Sequence, residues 1–157
     1  MTLTLDLLGT TLKIDMDKKL IIFLCTGNTC RSPMAEAMFR NGLTDEEKEK
    51  YEVKSFGLAA FGGEPASDHA VEVMYNQGID ISNHRSTPLN RYALAEAELV
   101  VCMTEAHSKV LLQIGFEPEK LVVFDIPDPY KGTFEDYQRC AEKIKQELQK
   151  VYARIRN

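Results

Sequence analysis

The chain lacks the basic excess that a polyanion rewards. Its 157 residues hold 19 Lys and Arg against 24 Asp and Glu, a net charge of -5. Phosphate backbones favour a basic footprint, so nucleic acid is not an expected partner. The same balance argues against a polybasic membrane anchor. Leu20 to Leu24 is an apolar run, but five residues are too few to span a bilayer. No basic segment precedes it and no small-residue cleavage site follows it. Four cysteines, Cys25, Cys30, Cys102 and Cys140, stand in a chain with no leader peptide. That points to a reducing compartment and a cytoplasmic protein. No His/Cys spacing suggests a zinc site. Gly57, Gly62 and Gly63 lack the strand–turn–helix setting of a dinucleotide fingerprint. Linkers, internal repeats and low-complexity segments are also missing.

What remains is an ordinary globular mixture, 44% apolar and 27% charged, in a length that suits one domain. Residues 1–18 read as an N-terminal extension. Thr2 to Leu7 and Leu12 to Asp15 alternate as strands would, and Gly9 suits a turn between them, as in a short hairpin. Met16-Asp-Lys-Lys also resembles a translation start, so residues 1–15 are expected to be dispensable for chemistry. From residue 19 strands and helices alternate. Leu20 to Leu24, Val53 to Phe56, Leu99 to Met103 and Leu121 to Phe124 read as strands. Helices are expected over 32–43, 44–51, 67–77, 92–97, 104–114 and 133–155. Thr44 and Glu47 form a capping pattern, and Gly78 and Gly115 end their helices. In the last helix Phe134, Tyr137, Ala141, Ile144, Leu148, Val151 and Ile155 make one stripe. The pattern predicts an α/β domain over residues 19–157, a doubly wound four-stranded parallel sheet with helices on both faces. Ligands bind such sheets beyond the carboxyl ends of the strands.

Cys25 stands at the first such end. Cys25-Thr26-Gly27-Asn28-Thr29-Cys30-Arg31-Ser32-Pro33 follows a strand and opens a helix. Gly27 and Asn28 tolerate positive φ, so the backbone can curl with its N–H groups inward, and the helix N-terminus adds positive charge. The result is a cup for a tetrahedral dianion. Arg31 can fork onto two phosphate oxygens. The same field favours a thiolate at Cys25, a nucleophile to which Ser32 can donate a hydrogen bond. A second constellation, Asp125-Ile-Pro-Asp128-Pro129-Tyr130, follows the fourth strand. Asp128, held between prolines, can protonate a leaving oxygen and then activate water, and Tyr130 can wall the pocket, with Leu58 or Phe61 as further candidates. His84 with Asn83 is a candidate brace for the loop, whereas His69 and His107 read as surface or capping residues. Cys102 reads as strand core and Cys140 as a helix-face residue.

Together, Cys25 to Pro33 and Asp128-Pro129-Tyr130 closely resemble the low-molecular-weight protein tyrosine phosphatase family, over residues 19–157. The resemblance implies Cys25 as nucleophile through a phosphocysteine intermediate, Arg31 as phosphate clamp and Asp128 as general acid. Thr26, Gly27, Asn28, Thr29, Cys30, Ser32 and Tyr130 line or brace the site. It implies no metal, and phosphorylated proteins as substrates. Within the family the chain looks nearest the bacterial protein arginine phosphatases. Thr29 stands where tyrosine-specific members usually carry an aliphatic residue, and Lys131 where they often carry a second aromatic; Arg85 departs from the pattern. Phosphoarginine is the favoured substrate and phosphotyrosine the alternative. Arsenate reduction needs a cysteine relay after the third strand, and no second cysteine follows Cys102 before Cys140. A phosphopeptide binder or redox sensor has no use for both nucleophile and acid. Cys30 reads either as a loop filler packed against the sheet or as a partner that captures oxidised Cys25 as a disulfide, and the resemblance favours the second.

Overall fold

A computed structural model describes residues 1–7 and 10–157, with the side chains of all but Leu7 and Thr10. The expected turn at Gly9 lies outside the described residues. Strands β1 (Thr2–Leu7) and β2 (Thr10–Asp15) pair antiparallel. The main sheet contains β3 (Lys19–Cys25), β4 (Tyr51–Gly57), β5 (Ala97–Cys102) and β6 (Leu121–Val123), all parallel, in the order β4-β3-β5-β6. Helices α1 (Arg31–Asn41), α2 (Asp45–Lys50), α3 (Asp68–Asn76), α4 (Arg91–Glu96), α5 (Glu105–Gln113) and α6 (Phe134–Arg156) fill the connections.

Alternation along β3 divides the core in two. Ile21 and Phe23 face one side, where they meet Met34 and Phe39 of α1, Met74 of α3 and Ile144 of α6. Leu20, Ile22 and Leu24 face the other, with Ala93 of α4 and Leu111 of α5. Both faces are covered, which is why β3 reads as an unbroken apolar run. The chain steps from β3 to β4 on one side and then back across to β5. The carboxyl end of β3 therefore lies at the switch point where such sheets place ligands.

Element edges differ from the sequence reading where the ladder decides them. Tyr51, expected to end the helix, instead opens β4, because it pairs with Lys19 of β3, and Glu52 follows it there opposite Leu20. On α3, Ala70, Val73 and Met74 are buried and Val71 packs at the margin. The capping box of Thr44 and Glu47 forms as the spacing predicts.

The β1–β2 pair turns Leu12 and Ile14 into the second core, and Leu3 and Leu5 pack beside them. Ile14 is 1% exposed. Truncating it to Ala is expected to cost about 2–4 kcal/mol, the usual penalty for emptying a packed site. Thermal unfolding measures this, and an unchanged melting temperature would show that the hairpin does not seal the sheet face in solution.

Candidate active site

The loop joining β3 to α1 is held open from behind. The carbonyl of Cys25 accepts from Leu58 N (2.9 Å), that of Thr26 from Ala59 N (2.9 Å) and that of Thr29 from Ser67 N (2.9 Å). His84 Nε2 lies 2.7 Å from the carbonyl of Asn28 and can only donate to it. In a trans peptide the N–H points opposite its carbonyl. With those carbonyls drawn outward, the N–H groups of Thr26, Gly27, Thr29 and Cys30 turn inward. Asn28 makes the sharpest bend, with φ +57°, and its own N–H reaches Cys25 Sγ at 3.3 Å. Gly57, at the end of β4, must lack a side chain for this loop to sit where it does. A Cβ there would lie 2.6 Å from Thr26 O and 3.0 Å from Asn28 N.

Cys25 sits at the floor of the cup, 2% exposed, with Ser32 Oγ 2.9 Å from its sulfur. A buried polar chain runs back from there. Asn28 Nδ2 donates to Ser32 Oγ (2.7 Å) and to Ser55 Oγ (3.0 Å). Ser55 Oγ in turn donates to Glu36 at 2.5 Å, and Thr87 N donates to Asn28 Oδ1 at 2.9 Å. The Asn28 amide is thus fixed in one orientation, with its NH2 toward Ser32. Ser32, its oxygen already accepting, is left to donate to the sulfur.

Arg31 opens α1 and is 4% exposed. Its Nη1 donates to Ile126 O at 3.0 Å, and Nη2 lies 3.4 Å from Asp128 Oδ2. Nε is buried and has no partner among the described residues. A buried charged donor left unpaired is costly unless an anion meets it. Asp128 is half-exposed on the loop after β6, and its other oxygen accepts from Tyr130 N at 3.1 Å. Cys25 and Arg31 from one sequence motif and Asp128 from another therefore line one cleft of about 210 Å³ with Thr26, Gly27, Thr29 and Cys30.

The rim is built by Tyr130 and Phe61, both largely exposed, and by Ala59, Ala60 and Glu64. Leu58, a candidate wall residue, instead packs into the second core. Lys131 has φ +63° and holds its ammonium 5.5 Å from the centre of the Tyr130 ring. Cys30 is buried, with its sulfur 3.2 Å from Tyr137 OH and 3.4 Å from Ser67 Oγ. Burial first, and the Cys30 contact second, push the Tyr137 phenol up to about 12.

The remaining cysteines and histidines separate from the cleft or change role. Cys102 lies in the core on the opposite sheet face from Cys25, and Cys140 lies in the α6 stripe; burial pushes each thiol up to about 12. His107 is not a surface residue. It is 6% exposed, caps α5 through Thr104, and places Nε2 2.9 Å from Thr26 Oγ1. Ser55, Glu36 and Thr87 are site residues to which the sequence reading gives no role, and His107, which it reads as a surface or capping residue, is both cap and site residue. Ser55 reaches the loop through sheet register, Glu36 through Ser55, Thr87 from the segment before α4 and His107 from the turn after β5.

Comparisons with known proteins agree with this geometry. The family model described as low molecular weight phosphotyrosine protein phosphatase matches residues 20–157. The chain is 33% identical over 146 residues to the protein-arginine-phosphatase of Bacillus subtilis (strain 168), covering 87% of this chain and 96% of that protein. It is 36% identical over 141 residues to arsenate reductase 2 of Staphylococcus haemolyticus (strain JCSC1435), covering 88% of this chain and 100% of that protein. Among solved structures, the YwlE arginine phosphatase from Geobacillus stearothermophilus superposes with a TM-score of 0.79 at 32% identity, covering 88% of this chain and 93% of that one.

Proposed function

The chain belongs to the low-molecular-weight phosphotyrosine protein phosphatase family, and from that premise we propose a cysteine-dependent protein phosphatase that favours phosphoarginine. The carrying observation is the division of charge in the cleft. Arg31 and the inward N–H groups gather positive charge around Cys25, whereas the exposed residues Asp128 and Glu64 add carboxyl groups to the lining of the same cleft. A phosphoryl dianion suits the floor, and a planar guanidinium suits an acidic rim with aromatic neighbours. Phosphotyrosine would use only the rings of Tyr130 and Phe61.

In this reading Cys25 Sγ attacks phosphorus and forms a phosphocysteine. The P–N bond breaks, and Asp128 hands its proton to the departing guanidine nitrogen. Asp128 then takes a proton from water, the water oxygen attacks phosphorus, and phosphate leaves as the thiolate returns. Arg31 holds the phosphoryl oxygens throughout. Thr29 narrows the wall beside the leaving group with a stiff β-branched side chain carrying a hydroxyl. Among the described residues, none before Met16 lines the cleft, so a chain starting at Met16 keeps turnover wherever it stays folded.

Side-by-side kcat/KM values on phosphoarginine and phosphotyrosine peptides test the preference. Wild type is expected to favour phosphoarginine, and Thr29→Ile to shift the ratio toward phosphotyrosine by about tenfold, the scale of one wall contact. A wild-type preference for phosphotyrosine would reverse the reading, and an unmoved ratio in the variant would remove Thr29 from it. Arsenate reduction is disfavoured because Cys102 lies across the sheet from Cys25, with no further cysteine before Cys140.

Cys30 has a second role in the same proposal. Hydrogen peroxide oxidises the Cys25 thiolate to a sulfenic acid. The Cys30 thiol then displaces its hydroxyl as water, and a disulfide forms that thiols reduce. Peroxide inactivation of Cys30→Ser is expected to become irreversible; full recovery by thiols would remove the protective role.

A further inference from the structure

A hydroxyl on a cleft wall can turn its proton in several directions, so its usefulness to a substrate depends on its neighbours. Thr26 follows Cys25, is exposed, and lines the cleft. Its Oγ1 lies 2.9 Å from Nε2 of His107, which enters from the first turn of α5. The proton in that contact is assigned from the far side of the ring. The backbone N–H of Thr104 lies 3.2 Å from His107 Nδ1, and a peptide N–H can only donate. Nδ1 therefore accepts, and the proton of the neutral imidazole sits on Nε2. Nε2–H donates to Thr26 Oγ1, so the Thr26 proton must turn away from the ring.

We propose that His107 is a positioning residue that commits the Thr26 hydroxyl to donate into the cleft, to an oxygen of the phosphoryl group held there. Arg31 and the inward loop N–H groups gather that oxygen and compete for nothing Thr26 offers, since all of them donate. The imidazole is suited to the task because it stays neutral. Burial, and then the nearby Arg31 charge, push it down to about 4, against the opposing pull of Asp128. An imidazolium would still donate from Nε2, but it would lose the Thr104 contact that fixes the ring. The proposal rests on the cleft taking a phosphoryl group and is indifferent to which phosphorylated side chain brings it.

Two measurements test this, and they fail separately from the reading of the cleft. The first is the nitrogen-15 spectrum of the His107 ring. The Nε2–H tautomer is expected from about pH 5 to about pH 8; an Nδ1–H tautomer, or an imidazolium at about pH 6, would overturn the assignment. The second is the dissociation constant of inorganic phosphate. Thr26→Val is expected to weaken phosphate by about tenfold, as loss of one hydrogen bond to a charged group does. His107→Asn keeps a carbonyl for Thr104 N–H but is too short for Thr26, and is expected to weaken phosphate by about fivefold. His107→Gln, whose amide reaches further, is expected to recover most of that loss. In the Thr26→Val background, His107→Asn should add less than about twofold, because the hydroxyl it orients is gone. Multiplying effects, wild-type affinity in either single variant, or a Gln variant as weak as the Asn variant would overturn the proposal. A wild-type protein that binds no phosphate would instead sink the phosphoryl reading of the cleft, while the tautomer would still be decided by the spectrum.

Discussion

Cys25→Ser is expected to abolish turnover of p-nitrophenyl phosphate, by at least about 10⁴-fold, the scale on which nucleophile knock-outs fall. That corresponds to about 5 kcal/mol of lost transition-state stabilisation. The substitution is nearly isosteric, so the cup survives it. What changes is the ease of ionisation and the intrinsic nucleophilicity of the attacking atom. Dipoles that stabilise a large, polarisable thiolate cannot ionise an aliphatic hydroxyl near neutral pH. Phosphate binding should persist within a few fold, because it rests on Arg31 and the loop N–H groups rather than on sulfur. Fold and anion site are thereby controlled within the same variant. Turnover within about tenfold of wild type would mean that Cys25 is not the attacking group.

The fold is legible in the sequence because its determinants are local. Leu20 to Leu24 is apolar throughout since both its faces are covered, and the α6 stripe keeps its period from Tyr137 to Val151. The edge of β4 is harder to read, because Tyr51 and Glu52 carry helix-compatible side chains and are drawn into a strand by pairing with β3. The site divides in the same way. Cys25 to Ser32 is contiguous, so its chemistry can be read along the chain. Its bracing comes from Ser55, His84, Thr87 and His107, which lie 27 to 81 residues from their loop partners. His84 beside Asn83 is the one of these that the sequence offers as a brace; Ser55, Thr87 and His107 carry no local signature of that role. Ser55 faces Asn28 only because β4 pairs with β3 in register, Phe23 against Ser55. Even His107, whose position suggests a cap, reveals nothing of its other nitrogen along the chain, because the imidazole serves α5 through Nδ1 and the loop through Nε2.

This division of labour has a physical cause. An anion-binding loop with carbonyls facing inward would repel its ligand, and a short loop cannot by itself decide which way its peptides turn. Donors supplied from the segment after β4, from the 83–87 segment and from the N-cap of α3 make the decision before substrate arrives. Preorganised dipoles of this kind cost no rearrangement during the reaction, which is what gives them their catalytic worth. The four outside donors to the loop carbonyls stand for four inward N–H groups.

Asp128→Ala should separate binding from proton transfer. The carboxyl group lies 3.4 Å from Arg31 and is half-exposed. It is near enough to serve a leaving group that departs toward the cleft mouth, yet contributes no donor to the phosphate. Removing it is expected to lower kcat by about 10²–10³-fold, the usual worth of a positioned acid. Phosphate affinity should hold or rise slightly, since a negative charge beside the bound dianion has been deleted. The loss should also depend on the leaving group. p-Nitrophenolate departs readily without a proton, whereas phenolate needs one, so phenyl phosphate should suffer more than p-nitrophenyl phosphate. Asp128→Asn should match Ala in rate, because an amide fills the space without supplying a proton. Equal losses on the two esters, or a collapse of phosphate binding, would make Asp128 a partner that shapes Arg31 rather than the acid of the reaction. The acid would then have to be sought elsewhere in the cleft, where Glu64 is the other carboxyl-bearing lining residue among the described residues.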